Sequence, residues 1–144
     1  MLDGRLRCCW QRSQRTVRAG RSIGYSTLWV YNPSRVNVTL DSIEPVDASP
    51  NVRVIEAWLP VDSPRCQLAA VESSVKPAPS TCRVPVDGFV LSSGTAVGQG
   101  PRLVVELQGD ERGTYRAGGF AVHYHEGLIH YTTLYSNGFT LNVR

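Results

Sequence analysis

The three histidines of the chain, His123, His125 and His130, fall within one short C-terminal stretch. They lie in Phe120–Tyr131, which reads as a hairpin turning at Glu126-Gly127. That register sets His125 against Leu128, Tyr124 against Ile129, and His123 against His130. Residues two apart on a strand share a face, so all three imidazoles are expected on one side of the sheet. Three imidazoles with an open fourth position suit Zn²⁺ or Cu²⁺, and a bound ion there could activate a water as in a metal-dependent hydrolase. A second consideration opposes this. Phe120, Val122, Tyr124, Ile129 and Tyr131 form the other, apolar face and are expected in the core. The histidines then face solvent, where nothing excludes water or supplies outer-shell partners. The favoured reading is a polar, pH-responsive sheet surface with no cofactor, and a three-histidine zinc site is the alternative.

Other catalytic patterns are weaker. Ser73-Ser74 and the serines near Gly94 lie in no GxSxG context, and no Gly-rich loop leads into a helix that could hold a phosphate. Asp110-Glu111 reads as a solvated acidic turn. The chain is therefore expected not to be an enzyme.

The elements that must position the histidines are strands. Hydrophobic runs are short, rich in Val, Tyr and Thr, and punctuated by Pro and Gly, the pattern of an all-β domain. Strands are expected at Thr16–Gly20, Ser22–Tyr31, Val36–Asp41, Val52–Leu59, Val84–Val86, Phe89–Leu91, Arg102–Gln108 and Phe139–Val143, besides the hairpin. Asn32-Pro33-Ser34 and Pro45–Asn51 read as turns. Pro85 points to an edge position for its strand. Leu103, Val105 and Leu107 alternate toward the core, and Trp29 and Trp58 are expected core anchors. Gln67–Lys76 offers at most one helical turn inside a loop spanning Asp62–Thr81. A chain of 144 residues suits one domain, and no stretch is long and apolar enough for a membrane span.

Charge and cysteines bear on partners and compartment. Six arginines and one acid, Asp3, occupy the first 21 residues, leaving the remainder slightly acidic. Residues 1–14 read as a basic, poorly ordered arm before a single β-sandwich domain over 15–144. The arm could touch anionic headgroups at a membrane surface, with Trp10 as an added contact, but no basic and aromatic residues interleave to make a nucleic-acid surface. Cys8 and Cys9 are adjacent without a CxxC partner, which disfavours zinc there. Cys66 and Cys82 bracket the long loop and are expected to form a disulfide, implying an oxidising compartment. No signal-peptide pattern is visible at the N-terminus, which taken alone favours the cytoplasm.

Asp110–Ala117 resembles the tyrosine corner of immunoglobulin-like sandwiches, in which an acid, a Gly and a Tyr precede a strand and the Tyr hydroxyl bonds back to the main chain. Ala117 stands where antibody domains carry a cysteine. The spacing of Gly88, Gly113, Tyr115, Gly119, Val122, Tyr124, Gly127 and Tyr131 resembles a group of actinobacterial exported or membrane-anchored proteins, over roughly the C-terminal half. The resemblance implies an immunoglobulin-like antiparallel β-sandwich of about eight strands. It implies no catalytic residue. The expected function is a non-catalytic structural or binding domain at the bacterial cell envelope, with a protein partner and an undetermined oligomeric state.

Overall fold

Apolar–polar alternation with frequent turn residues produces a mostly β structure. The computed structural model describes residues 13–50, 52–96, 99–136 and 138–144. Most of the N-terminal arm lies outside the described residues, Cys8, Cys9 and Trp10 included, whereas Ser13 and Gln14 already belong to the first strand. The strands are β1 Ser13–Val17, β2 Ser22–Trp29, β3 Val38–Val46, β4 Val52–Pro60, β5 Arg83–Pro85, β6 Val90–Leu91, β7 Arg102–Gly109, β8 Gly113–Ala117, β9 Gly119–Glu126, β10 Ile129–Tyr135 and β11 Phe139–Val143. They form sheets of order β1-β11-β8, β10-β9-β3-β6 and β2-β7-β4-β5. Every pairing is antiparallel except β1 with β11.

The first two sheets are built on the same two lengths of chain. β8 and β9 are interrupted at Gly118, and β10 and β11 over 136–138. Ala117 pairs with Phe139 on one side of the break and Phe120 with Tyr135 on the other. The break needs glycine: a Cβ on Gly119 would meet the Tyr135 carbonyl oxygen, and one on Gly138 would meet that of Ala117. Inward side chains of all three sheets, among them Leu28, Leu40, Leu103, Val105, Phe120, Tyr124 and Leu141, form one continuous core.

A helix is the main departure from expectation. Pro64–Glu72 forms α1, more than the single turn anticipated. Ser63 caps it by accepting from the Cys66 amide, and Pro64 occupies the first helical turn, where its missing N–H costs nothing. At the other end the Ser73 hydroxyl donates to the Ala70 carbonyl, and the Ser73 carbonyl accepts from the Gly24 amide. Only a glycine allows that approach, because a Cβ at residue 24 would overlap the Ser73 side chain.

The helix explains why β7 is buried on both faces. Leu103, Val105 and Leu107 face the main core as expected, while Val104 packs with Trp58, Ala70 and Ala78 in a second cluster beneath α1. Glu106 is buried on that side too, and its Oε1 has two partners. It lies 2.8 Å from the Arg83 guanidinium and accepts a long hydrogen bond, 3.4 Å, from the Trp58 indole. Arg83 also reaches Glu56 at 2.7 Å, donates twice to the Ala78 carbonyl and stacks over Trp58. Trp58 is thus an anchor of the second cluster. Trp29, expected in the core, is only half-buried and carries Arg102 over its ring at 4.3 Å. Burial lowers the pKa of Arg102 from its ordinary value.

Cys66 and Cys82 are disulfide-bonded, as their position around the loop anticipates, with Cα atoms 5.1 Å apart. The bridge ties α1 to the 3-10 turn Ser80–Cys82 that leads into β5. Replacing both cysteines by alanine is expected to lower stability by about 3 kcal/mol, the chain-entropy value for a loop of this size. Thermal unfolding of the double variant against the oxidised parent measures it. An unchanged melting temperature would mean that α1 is held by packing alone.

Candidate histidine–carboxylate face

The histidine face is built by three adjacent strands, β10, β9 and β3. Along β9, Phe120, Val122 and Tyr124 are buried, which turns His123 and His125 outward. The hairpin turns at Gly127-Leu128, not at Glu126-Gly127. Ile129 pairs with Glu126, His130 with His125, Tyr131 with Tyr124 and Thr132 with His123. Gly127 has φ +59° and Leu128 is not in the positive-φ region, so glycine takes the first central position, as a II′ turn requires. The expected register differs by two residues, an even number, so the inner and outer faces survive while the partners change. The Tyr124 and Tyr131 rings stack 5.6 Å apart on the inner side. Ile129, expected in the core, is exposed at the hairpin tip, where it pairs with Glu126 next to the turn.

The neighbouring strand supplies two carboxylates. β3 runs on to Val46, through residues expected to turn, and carries a bulge: Leu40 pairs with Tyr124 and Ser42 with His123, so Asp41 is the extra residue. Leu40 and Ile43 both point into the core, and the two residues between them, Asp41 and Ser42, both lie outward. The bulge therefore sets Asp41 beside His125, while Glu44, which pairs with Ala121, reaches His123 diagonally.

Two groups result. His123 is fully occupied, with Nε2 2.9 Å from Glu44 Oε1 and Nδ1 2.7 Å from Thr132 Oγ1. A carboxylate only accepts, so Nε2–H donates to Glu44, and in the neutral ring Nδ1 accepts from the Thr132 hydroxyl. His125 Nδ1 donates to Asp41 Oδ1 at 2.7 Å, and His130 Nδ1 stands 3.6 Å from Asp41 Oδ2. The His125 and His130 ring centroids are 5.4 Å apart. One donor atom from each of Asp41, His125 and His130 lies within 4.8 Å of the others. The three histidines do share a face, but they divide: His125 and His130 gather on Asp41, and His123 turns to Glu44 and Thr132.

Sequence reasoning missed Asp41 and Glu44. The alternation of Val38 and Leu40 puts Asp41 outward, but which strand lies beside β9, and the bulge that aims the carboxylate, are tertiary facts. Away from this face, a groove of about 530 Å³ beside β6 has Asp62 as its one charged lining residue. A smaller groove of about 330 Å³ lies along α1, between Arg65 and Pro79.

No protein-family model matches the chain, and no curated protein matches it by sequence. Among solved structures, a similarity is found to the solution structure of amebosin, at 12% identity over 94% of this chain and 100% of that one. Its TM-score of 0.28 is too low to carry a fold or a function across.

The turn geometry gives a test of the register. Gly127→Val places a β-branched residue at positive φ and is expected to destabilise the domain by about 1–2 kcal/mol. Chemical denaturation measures this, and an unchanged midpoint would argue against the II′ turn.

Proposed function

We propose that the chain is a non-catalytic immunoglobulin-like binding domain of an oxidising compartment, at the bacterial cell envelope. The observation that carries the reading is the strand order. β2-β7-β4 follows the B-E-D order and β10-β9-β3 the G-F-C order of such sandwiches, with the chain crossing between sheets from β2 to β3 and from β3 to β4. α1, β5 and β6 are then an insertion between the D and E strands. β1 departs from the constant-domain pattern by pairing in parallel with the last strand. A second support is the tyrosine corner. The Tyr115 hydroxyl donates to the Glu111 carbonyl at 2.7 Å, and Ala117, two residues on, is buried in the cysteine position. The Cys66–Cys82 bridge supports the compartment. Among the described residues no helix is long and apolar enough to cross a membrane. The resemblance to actinobacterial exported or membrane-anchored proteins points the same way.

Two features favour binding over catalysis. The titratable cluster lies on an open sheet face and not in either groove. Among the described residues β10 is the edge strand of its sheet, and a sheet edge is where an extended partner adds a strand. The proposed partner is accordingly a protein segment in extended conformation.

The compartment is tested by trapping thiols in cells that make the protein naturally, with mass spectrometry of Cys66 and Cys82. Both are expected to resist alkylation until reduced, and free thiols at both positions would overturn the envelope assignment. The fold assignment is tested by Tyr115→Phe, which should cost about 1 kcal/mol through loss of one hydrogen bond, read from chemical denaturation. A neutral result would remove the tyrosine corner as a support.

A further inference from the structure

We infer that Asp41, His125 and His130 form a binding site for one divalent transition-metal ion, of the class that prefers imidazole with carboxylate, such as Zn²⁺. The site joins three strands, and the residue that completes it is the one that β3 adds through its bulge. The separations favour a cation. His130 Nδ1 and Asp41 Oδ2, at 3.6 Å, are too far apart for a hydrogen bond but close to the spacing of about 3.4 Å between two ligands of one tetrahedral zinc. His125 Nδ1–H donates to Asp41 Oδ1 at 2.7 Å; for Nδ1 to ligate, the pair opens and the neutral ring carries its proton on Nε2 instead.

The set is not the three histidines. Glu44 and Thr132 hold both nitrogens of His123, and releasing it would break two hydrogen bonds for one coordinate bond. Asp41 and His125 have side chains about 70% covered and are bonded to each other, so two of the three ligands stand together before an ion arrives. His130 is the exposed third, with 74% of its side chain open to solvent on the edge strand. One carboxylate and two neutral imidazoles carry a single negative charge, suited to a dication. The fourth position opens outward from the sheet, available to water or to a donor atom of a partner. This site stands apart from the binding-domain reading and does not require it.

The test is calorimetric titration of the oxidised full-length protein with zinc chloride at neutral pH, with ring resonances of the three histidines followed by NMR. A Cys8→Ser/Cys9→Ser background removes the competing thiols. The expected result is one ion per chain, with the His125 and His130 rings shifting at stoichiometric zinc. Asp41→Asn and His130→Ala should each weaken binding about tenfold or more, at least the effect of losing an outer-shell partner. His123→Ala should change affinity by less than about threefold. His130 is exposed, so its replacement leaves folding intact and keeps the test decisive if Asp41→Asn unfolds. Absence of binding at millimolar zinc, or a His123→Ala loss equal to that of His130→Ala, would overturn the assignment.

Discussion

Three aromatic rings join the two halves of the domain, and the rest of the structure hangs on that joint. Tyr25 of β2 lies 5.6 Å from Phe120 of β9 and 6.0 Å from Phe139 of β11, and the two phenylalanines are 5.7 Å apart. Phe120 and Phe139 flank the interruption in the facing strands. Their rings fill the space where the ladder is broken, and the Tyr25 hydroxyl donates to the Gly138 carbonyl there. Aromatic clusters of this kind contribute through area and through favourable ring geometry. Their position matters as much as their size. They fix how β2-β7-β4-β5 sits over β9 and β11, and hence which residues of β9 are left to face solvent.

On the far side of β7 the stabilising chemistry changes character. A helix too small to build its own core is held by a disulfide, a glycine contact and a buried ionic network. Glu106 is tolerable there because Arg83 and Trp58 meet it directly, and Arg83 in turn ties Ala78 and Glu56 to the same point. Breaking one partner of such a set costs more than the set contributes, since it strands a charge away from water. The network locates α1 and β5 more than it strengthens the domain.

Much of the fold was legible because the strands obey period two. β11 alternates cleanly, β4 and β7 lie where their apolar runs put them, and the weak strands around Pro85 sit at sheet edges as proline demands. The losses have separate physical causes. α1 hid in a Pro-, Ser- and Ala-rich loop because its starting signal, Ser63-Pro64, also reads as a turn. The double burial of β7 depends on that helix, so Val104 and Glu106 looked like outward residues. At the candidate site the shared face of the histidines was readable from spacing, since spacing alone decides which side of a strand a residue takes. Their partners were not, because II′ turn placement and the β3 bulge choose neighbours without altering faces.

The bulge at Asp41 has a consequence of a different kind. It is a matter of residue count, and side-chain identity does not create it. Substitution at Asp41 does not alter that count, whereas an insertion or deletion in β3 or in the facing β9 does. The frame that aims a side chain at His125 and His130 is therefore inherited independently of what that side chain is. A lineage can lose the carboxylate and regain it by single substitutions, whereas one that loses the extra residue must rebuild the strand.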